Sequence, residues 1–214
     1  MSVAGPGFDP GFADGFDRLL RWRRDVRHFD LRAVAEGEVQ ALLQAAALAP
    51  SVGNAQPWRF VRVRSADLRA RLAVHVDACG AAAAERQKGD RQALYRSLKL
   101  HGLREAPEVL TVFSDEAPVA GHGLGVATMP EALLYSTVMA IHTLWLAARV
   151  RGIGVGWVSI LDPAVVTAML DVPAAWRLIA LLCIGYPAEP SDTPELERRG
   201  WQAREPLADR VLER

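Results

Sequence analysis

Cysteine is nearly missing from this sequence: Cys79 and Cys183 are the only two in 214 residues, they lie far apart, and neither sits in a CxxC pair. That excludes a disulfide-stapled secreted scaffold and points to reduced structural thiols in a cytoplasmic protein. Net charge is missing too, because 25 Lys and Arg balance 25 Asp and Glu, so no general attraction to nucleic acid or to an anionic membrane is expected. The N-terminus has no basic region followed by an apolar run, which argues against a secretory signal. No serine sits in a GxSxG elbow, and no Lys-Ser or Lys-Thr follows Gly121-His122-Gly123-Leu124-Gly125. The five histidines show no metal-ligand spacing. Acyl-transfer, P-loop and metal chemistry therefore have no local support.

Apolar residues make up 50% of the chain, enough over this length for one sizeable core. Residues 1–15, rich in Gly, Asp, Pro and Phe, read as a flexible tail, and residues 16–214 as a single domain with a C-terminal arm from about residue 190. Helices are expected over 38–48, 66–84 and from about Pro130, with a short one after Pro163. Strands are expected over 58–63, 108–113, 153–160 and 177–186. The result is an α+β domain in which helices surround a mixed central sheet. The apolar stretch 132–150 is interrupted by Tyr135, Ser136, Thr137, His142 and Thr143 and closed by Arg149 and Arg151, and so reads as a helix buried in protein, not a membrane span. Residues 85–102 are charged and read equally well as helix or as a mobile lid.

Three segments carry chemical potential. In Arg21-Trp22-Arg23-Arg24-Asp25-Val26-Arg27 four arginines surround one carboxylate; guanidinium groups suit phosphate oxygens, but a charge run taken alone is more often a solvated face. In the turn Ala49 to Phe60, Ser51, Asn54 and Gln56 offer donors and acceptors suited to a polyol or a ring edge, and Gly53 permits close approach. In Gly152 to Ser159, glycines open a strand; Gly156 suggests a backbone lying against a flat ligand, with Ser159 able to hydrogen-bond it, or else a bulged core strand.

Taken in order, the arginine run, the 49–60 turn, Thr128 to Ser136, Gly154 to Pro163 and Pro194 to Arg204 resemble the 5,6-dimethylbenzimidazole synthases, a family of nitroreductase-like fold, over about residues 21–204. The resemblance implies an intertwined homodimer binding flavin mononucleotide at the subunit interface. Arg23, Arg24, Asp25, Val26, Arg27 and Ser51 would line the flavin together with Gln56, Gly156 and Ser159. Arg204 would contact the phosphate and Lys99 the ring or ribityl chain. It further implies that reduced flavin mononucleotide is consumed, not retained: molecular oxygen reacts with it and it is fragmented to 5,6-dimethylbenzimidazole and erythrose 4-phosphate, the reduced flavin coming from a separate flavin reductase or another NAD(P)H-dependent source. Asp25 would be the general base at the ribityl C1′ carbon and Ser159 a catalytic hydrogen-bonding group. Nitroreductases typically carry serine where Asp25 stands, and this is the sharpest discriminating residue. Ala55 and His142 depart from the family pattern, which often has serine and glutamine there. Two other readings remain: a flavin-retaining NAD(P)H-dependent nitroreductase or quinone reductase, and a non-catalytic flavin-binding protein.

Overall fold

A computed structural model describes residues 7–214. Its centre is a four-stranded sheet in the order β1-β2-β4-β3, formed by β1 (Trp58–Arg62), β2 (Glu108–Asp115), β3 (Gly154–Val158) and β4 (Trp176–Gly185). The named strands pair antiparallel throughout. The parallel component expected of a mixed sheet is confined to one bridge, between Asp25 and Val155.

The two central strands are buried on both faces, which is why they read as continuous apolar runs and not as alternation. On one face Leu110, Val112, Ala180, Leu182 and Ile184 pack with Val39, Leu42 and Ala46 of α2 (Glu36–Ala46) and with α5 (Ala132–Val150). On the other face Val109, Leu181 and Cys183 pack with Leu72, Ala73 and Val76 of α3 (Ala66–Glu85) and Val166 of α6 (Pro163–Leu170). Burial pushes the Cys183 thiol up to about 12, so it acts as a small apolar side chain.

Helix α5 buries Leu133, Ser136, Thr137, Ala140, Ile141, Leu144, Trp145 and Ala148, spacings of three and four that form one stripe. Composition alone would let it cross a bilayer, yet 44% of its most apolar window is buried and the stripe lies on the sheet. Its hydroxyls are satisfied: Ser136 Oγ donates to the Ala132 carbonyl at 2.6 Å and accepts the Val52 N–H at 3.0 Å.

The N-terminal expectation needs correcting. Residues 10–15 are not tail but the start of α1 (Pro10–Trp22), where Asp9 caps the helix by accepting from the Phe12 N–H at 2.8 Å and proline occupies the first turn. Residues 1–6 of the expected tail lie outside the described residues. Helix α1 buries nothing and exposes Phe12, Phe16 and Leu20 along one side. The ambiguous stretch 85–102 contains a second helix, α4 (Asp90–Ser97). The short α7 (Glu195–Arg198) lies in the C-terminal arm. His75 and Cys79, one turn apart on α3, do meet, at 3.6 Å between Nε2 and Sγ.

Candidate functional site

The arginine run lies along the free edge of β3. As α1 ends, the chain turns extended at Arg23, and the Val26 N–H donates to the Val155 carbonyl at 3.1 Å. Asp25 then supplies with its side chain what a neighbouring strand would supply with its backbone: Oδ1 accepts the Trp157 N–H at 2.8 Å, while Oδ2 accepts from Arg27 Nε at 2.9 Å. This close approach explains the glycines. A Cβ on Gly156 would lie 2.0 Å from the Val26 carbonyl oxygen, and one on Gly154 would lie 2.7 Å from Val26 Cγ2. Gly156 therefore faces the protein's own backbone, and the expectation that it lies against a flat ligand is corrected: the steric demand is real, but the approaching group is residue 26.

Two opposing effects act on Asp25. Burial raises its pKa, whereas the Trp157 N–H and the Arg27 guanidinium lower it and the carboxylate of Glu195 raises it; the balance is upward. Around it stand cations that outnumber their partners. Arg23 is pulled down first by burial and then by Arg204, and Arg24 by burial, Arg23 and Arg204. Arg23 lies over the Trp145 ring, 5.1 Å from its centroid, and its buried Nε has no hydrogen-bond partner among the described residues. Arg24 Nε is held by the Asp192 carbonyl at 2.7 Å. Three mutually repelling guanidinium groups with an orphaned buried donor concentrate positive charge and hydrogen-bond donors in one place, a chemistry that suits the oxygens of a phosphate monoester.

Lys99 joins this group through its backbone, whose carbonyl accepts from Arg27 Nη1 at 3.3 Å, while its ammonium is turned to Glu105 at 2.9 Å. Ser51 and Gln56 are not brought to the arginines within one chain. They sit where the 49–60 turn meets the start of α5, with Ser51 Oγ accepting the Gln56 N–H at 3.0 Å, whereas Trp145, beside Arg23, lies more than two turns further along α5. Ser159 is exposed just past the end of β3, two residues beyond Trp157. The loop Gly121–Gly125 packs on the same turn as Ser51: a Cβ on Gly53 would meet the Leu124 carbonyl oxygen at 2.7 Å. It is a connector.

Trp145 and Glu195 were not singled out from sequence. Trp145 Nε1 donates to the Arg24 carbonyl at 3.3 Å, and the Trp145 ring stacks on Trp157 with centroids 6.5 Å apart. Glu195 meets His28 Nε2 at 3.3 Å. Trp145 falls on the buried stripe of α5, a signal that exists in the sequence; nothing local marks Glu195.

The sequence matches the nitroreductase family over residues 20–186. A protein of Rhodospirillum rubrum named 5,6-dimethylbenzimidazole synthase is 61% identical over 202 residues, covering 94% of this chain and 96% of the relative. One of the same name from Rhodobacter capsulatus is 48% identical over 195 residues, covering 91% and 94%. This chain belongs to the nitroreductase family, among its 5,6-dimethylbenzimidazole synthases. It is thus an enzyme of a family of oxidoreductases. Solved nitroreductase-family folds superpose on it. Iodotyrosine deiodinase bound to FMN and 3-iodo-L-tyrosine gives a TM-score of 0.70 at 26% identity, covering 82% of this chain and 91% of that one. A BluB-like flavoprotein from Clostridium difficile gives 0.69 at 19% identity, covering 97% and 99%, and speaks for the fold alone. The expected nitroreductase-like α+β class therefore stands for this family member.

Proposed function

We propose that this enzyme binds reduced flavin mononucleotide and, with molecular oxygen, fragments it to 5,6-dimethylbenzimidazole, the lower ligand of vitamin B12, and erythrose 4-phosphate. The observation that carries the reading is the placement of Asp25: a carboxylate fixed by Trp157 and Arg27 beside an anion site built from Arg23, Arg24 and Arg204. When bound, reduced flavin supplies the electrons for oxygen and the carbon of both products, and the remainder of its pyrimidine ring leaves as a third fragment.

The protein's own groups divide the remaining work. Arg23, Arg24 and Arg204 hold the phosphate, which fixes the ribityl chain relative to Asp25. Asp25 accepts a proton from the ribityl C1′ carbon, and Arg27 keeps its second oxygen oriented. Ser159 serves the ring end, and Lys99 supports the site through its carbonyl on Arg27. Ser51 and Gln56 complete the site from a second copy of the chain, which we assign to a homodimer: they stand apart from the arginines within one chain, and α5 turns Tyr135, Val138 and Met139 outward beside them. A separate NAD(P)H-dependent reductase delivers the reduced flavin.

Removing Arg204 tests the phosphate assignment. Arg204→Ala should weaken binding of flavin mononucleotide by roughly tenfold or more, the loss of one charge-assisted hydrogen bond, and leave riboflavin binding unchanged; equal losses for both ligands would contradict it. Both affinities are read by flavin fluorescence.

Arg27 tests the base. Since Arg27 lowers the Asp25 pKa, Arg27→Ala should move the acid limb of the pH–rate profile to higher pH, because Asp25 must be ionised to take a proton and then protonates earlier as pH falls. An acid limb that stays in place or moves down would count against Asp25. Reaction with NADH and catalytic flavin separates the reductase reading: sustained nicotinamide oxidation without loss of flavin would replace the proposal.

A further inference from the structure

Helix α4 is lightly held. Its eight residues bury no side chain, and it begins at Gly89, φ +57°, without a side-chain cap. To α3 it is tied by Gln92 Nε2 donating to the Ala84 carbonyl at 3.1 Å and by Arg96 with Glu85 at 2.6 Å. On the adjacent stripe of the helix stands one ring from the C-terminal arm. Trp201 meets Tyr95 edge-on, centroids 5.8 Å apart, and the Arg91 guanidinium lies over the same indole at 4.3 Å.

Trp201 is placed by the end of α7. Gly200 turns the chain at φ +74°, and the Trp201 N–H donates to the Leu196 carbonyl at 2.8 Å. Three residues further on, Arg204 lines one surface pocket together with Arg21 and Arg24, close enough to disfavour the charged forms of Arg23 and Arg24. The near end of the arm is pinned by Arg24 on the Asp192 carbonyl and by His28 with Glu195. The arm therefore reaches α4 at Trp201 and the arginine cluster at Arg204, with only Gln202 and Ala203 between.

We infer that Trp201 is a positioning residue that clasps α4 to the C-terminal arm, so that binding of a phosphate monoester at Arg23, Arg24 and Arg204 orders α4 and the arm as one unit. The inference rests on the reading of these arginines as the flavin phosphate site. An anion bound there offsets the mutual repulsion of Arg23, Arg24 and Arg204. The arm then settles, and the contacts of Trp201 with Tyr95 and Arg91 carry that settling to α4. Seating of the phosphate and ordering of α4 become the same event.

Hydrogen exchange on the full-length protein tests this, with and without oxidised flavin mononucleotide, in wild type, Trp201→Ala and Trp201→Phe. Without ligand, Trp201→Ala should speed exchange across 90–97 by about tenfold, the worth of one aromatic pair and one cation–π contact, while β2 and β4 exchange as in wild type. With flavin mononucleotide, wild type should gain protection at both 90–97 and 195–204. Trp201→Ala should gain none at 90–97 and bind flavin mononucleotide about tenfold more weakly, but riboflavin as before; Trp201→Phe should restore most of both. Wild-type exchange and affinity in Trp201→Ala, or protection of α4 by ligand in that variant, would overturn the clasp. A wild-type protein that fails to bind flavin mononucleotide would overturn the site reading and with it the coupling, while the ligand-free comparison would still decide whether Trp201 holds α4.

Discussion

Asp25→Asn should bind reduced flavin mononucleotide within about threefold of wild type and form 5,6-dimethylbenzimidazole some 10²- to 10⁴-fold more slowly, the usual worth of a positioned general base. The substitution preserves shape and leaves an oxygen to accept the Trp157 N–H, so the loop and the glycine contacts behind it need not move. Stability should change little. Folding raises the Asp25 pKa, so the stability this group contributes is fully present below its unfolded pKa and is lost as pH rises from there through the raised folded one. At neutral pH an uncharged asparagine relieves that cost, against the loss of the pair with Arg27. Anaerobic titration followed by product analysis separates binding from turnover. Wild-type product yield from Asp25→Asn would remove Asp25 from the chemistry.

Gly156→Ala should be the most damaging single-methyl change in the molecule. Its Cβ would lie 2.0 Å from the Val26 carbonyl oxygen and 3.2 Å from the Val26 carbonyl carbon, with the Phe29 ring 3.7 Å away. These are backbone atoms that cannot rotate aside, so residues 25–27 must lift from β3, breaking the Val26–Val155 bond and the Asp25–Trp157 bond together. Overpacking plus two lost hydrogen bonds, one to a carboxylate, comes to about 3–5 kcal/mol, a large share of an ordinary domain's stability. Chemical denaturation should show the midpoint falling accordingly, and the folded remainder should turn over poorly because Asp25 is displaced. A variant that loses less than about 1 kcal/mol and keeps full turnover would mean that the 23–29 segment is not held against the strand as described.

The same two positions show what could be read from sequence and what could not. Helix α5 and strands β2 and β4 were legible because two-sided burial and a 3.6-residue stripe leave a mark on every residue. Helix α1 was missed altogether, its first part being read as tail and residues 16–22 not being read as helix, because Gly11 and Gly15 weaken the helical pattern, although Asp9-Pro10 is a start signal. Gly156 announced a close approach correctly but not what approaches, since a glycine records only the space it leaves. The arginine run was visible yet undecided between a solvated face and an anion site. What tips it is Arg204 returning from the far end of the chain and the partnerless Nε of Arg23, and both are products of tertiary packing. The turn bearing Ser51 and Gln56 was read as a ligand-positioning loop, but its distance from the arginines is set by where α5 lies, which no local pattern encodes. Glu195 and Trp201 are likewise ordinary residues until the arm folds back.

The fragmentation chemistry itself is tested most directly by mixing the purified enzyme with stoichiometric, chemically reduced flavin mononucleotide, admitting air, and following the products by chromatography and mass spectrometry. The account predicts 5,6-dimethylbenzimidazole appearing as flavin disappears. Intact oxidised flavin accompanied by peroxide would contradict it.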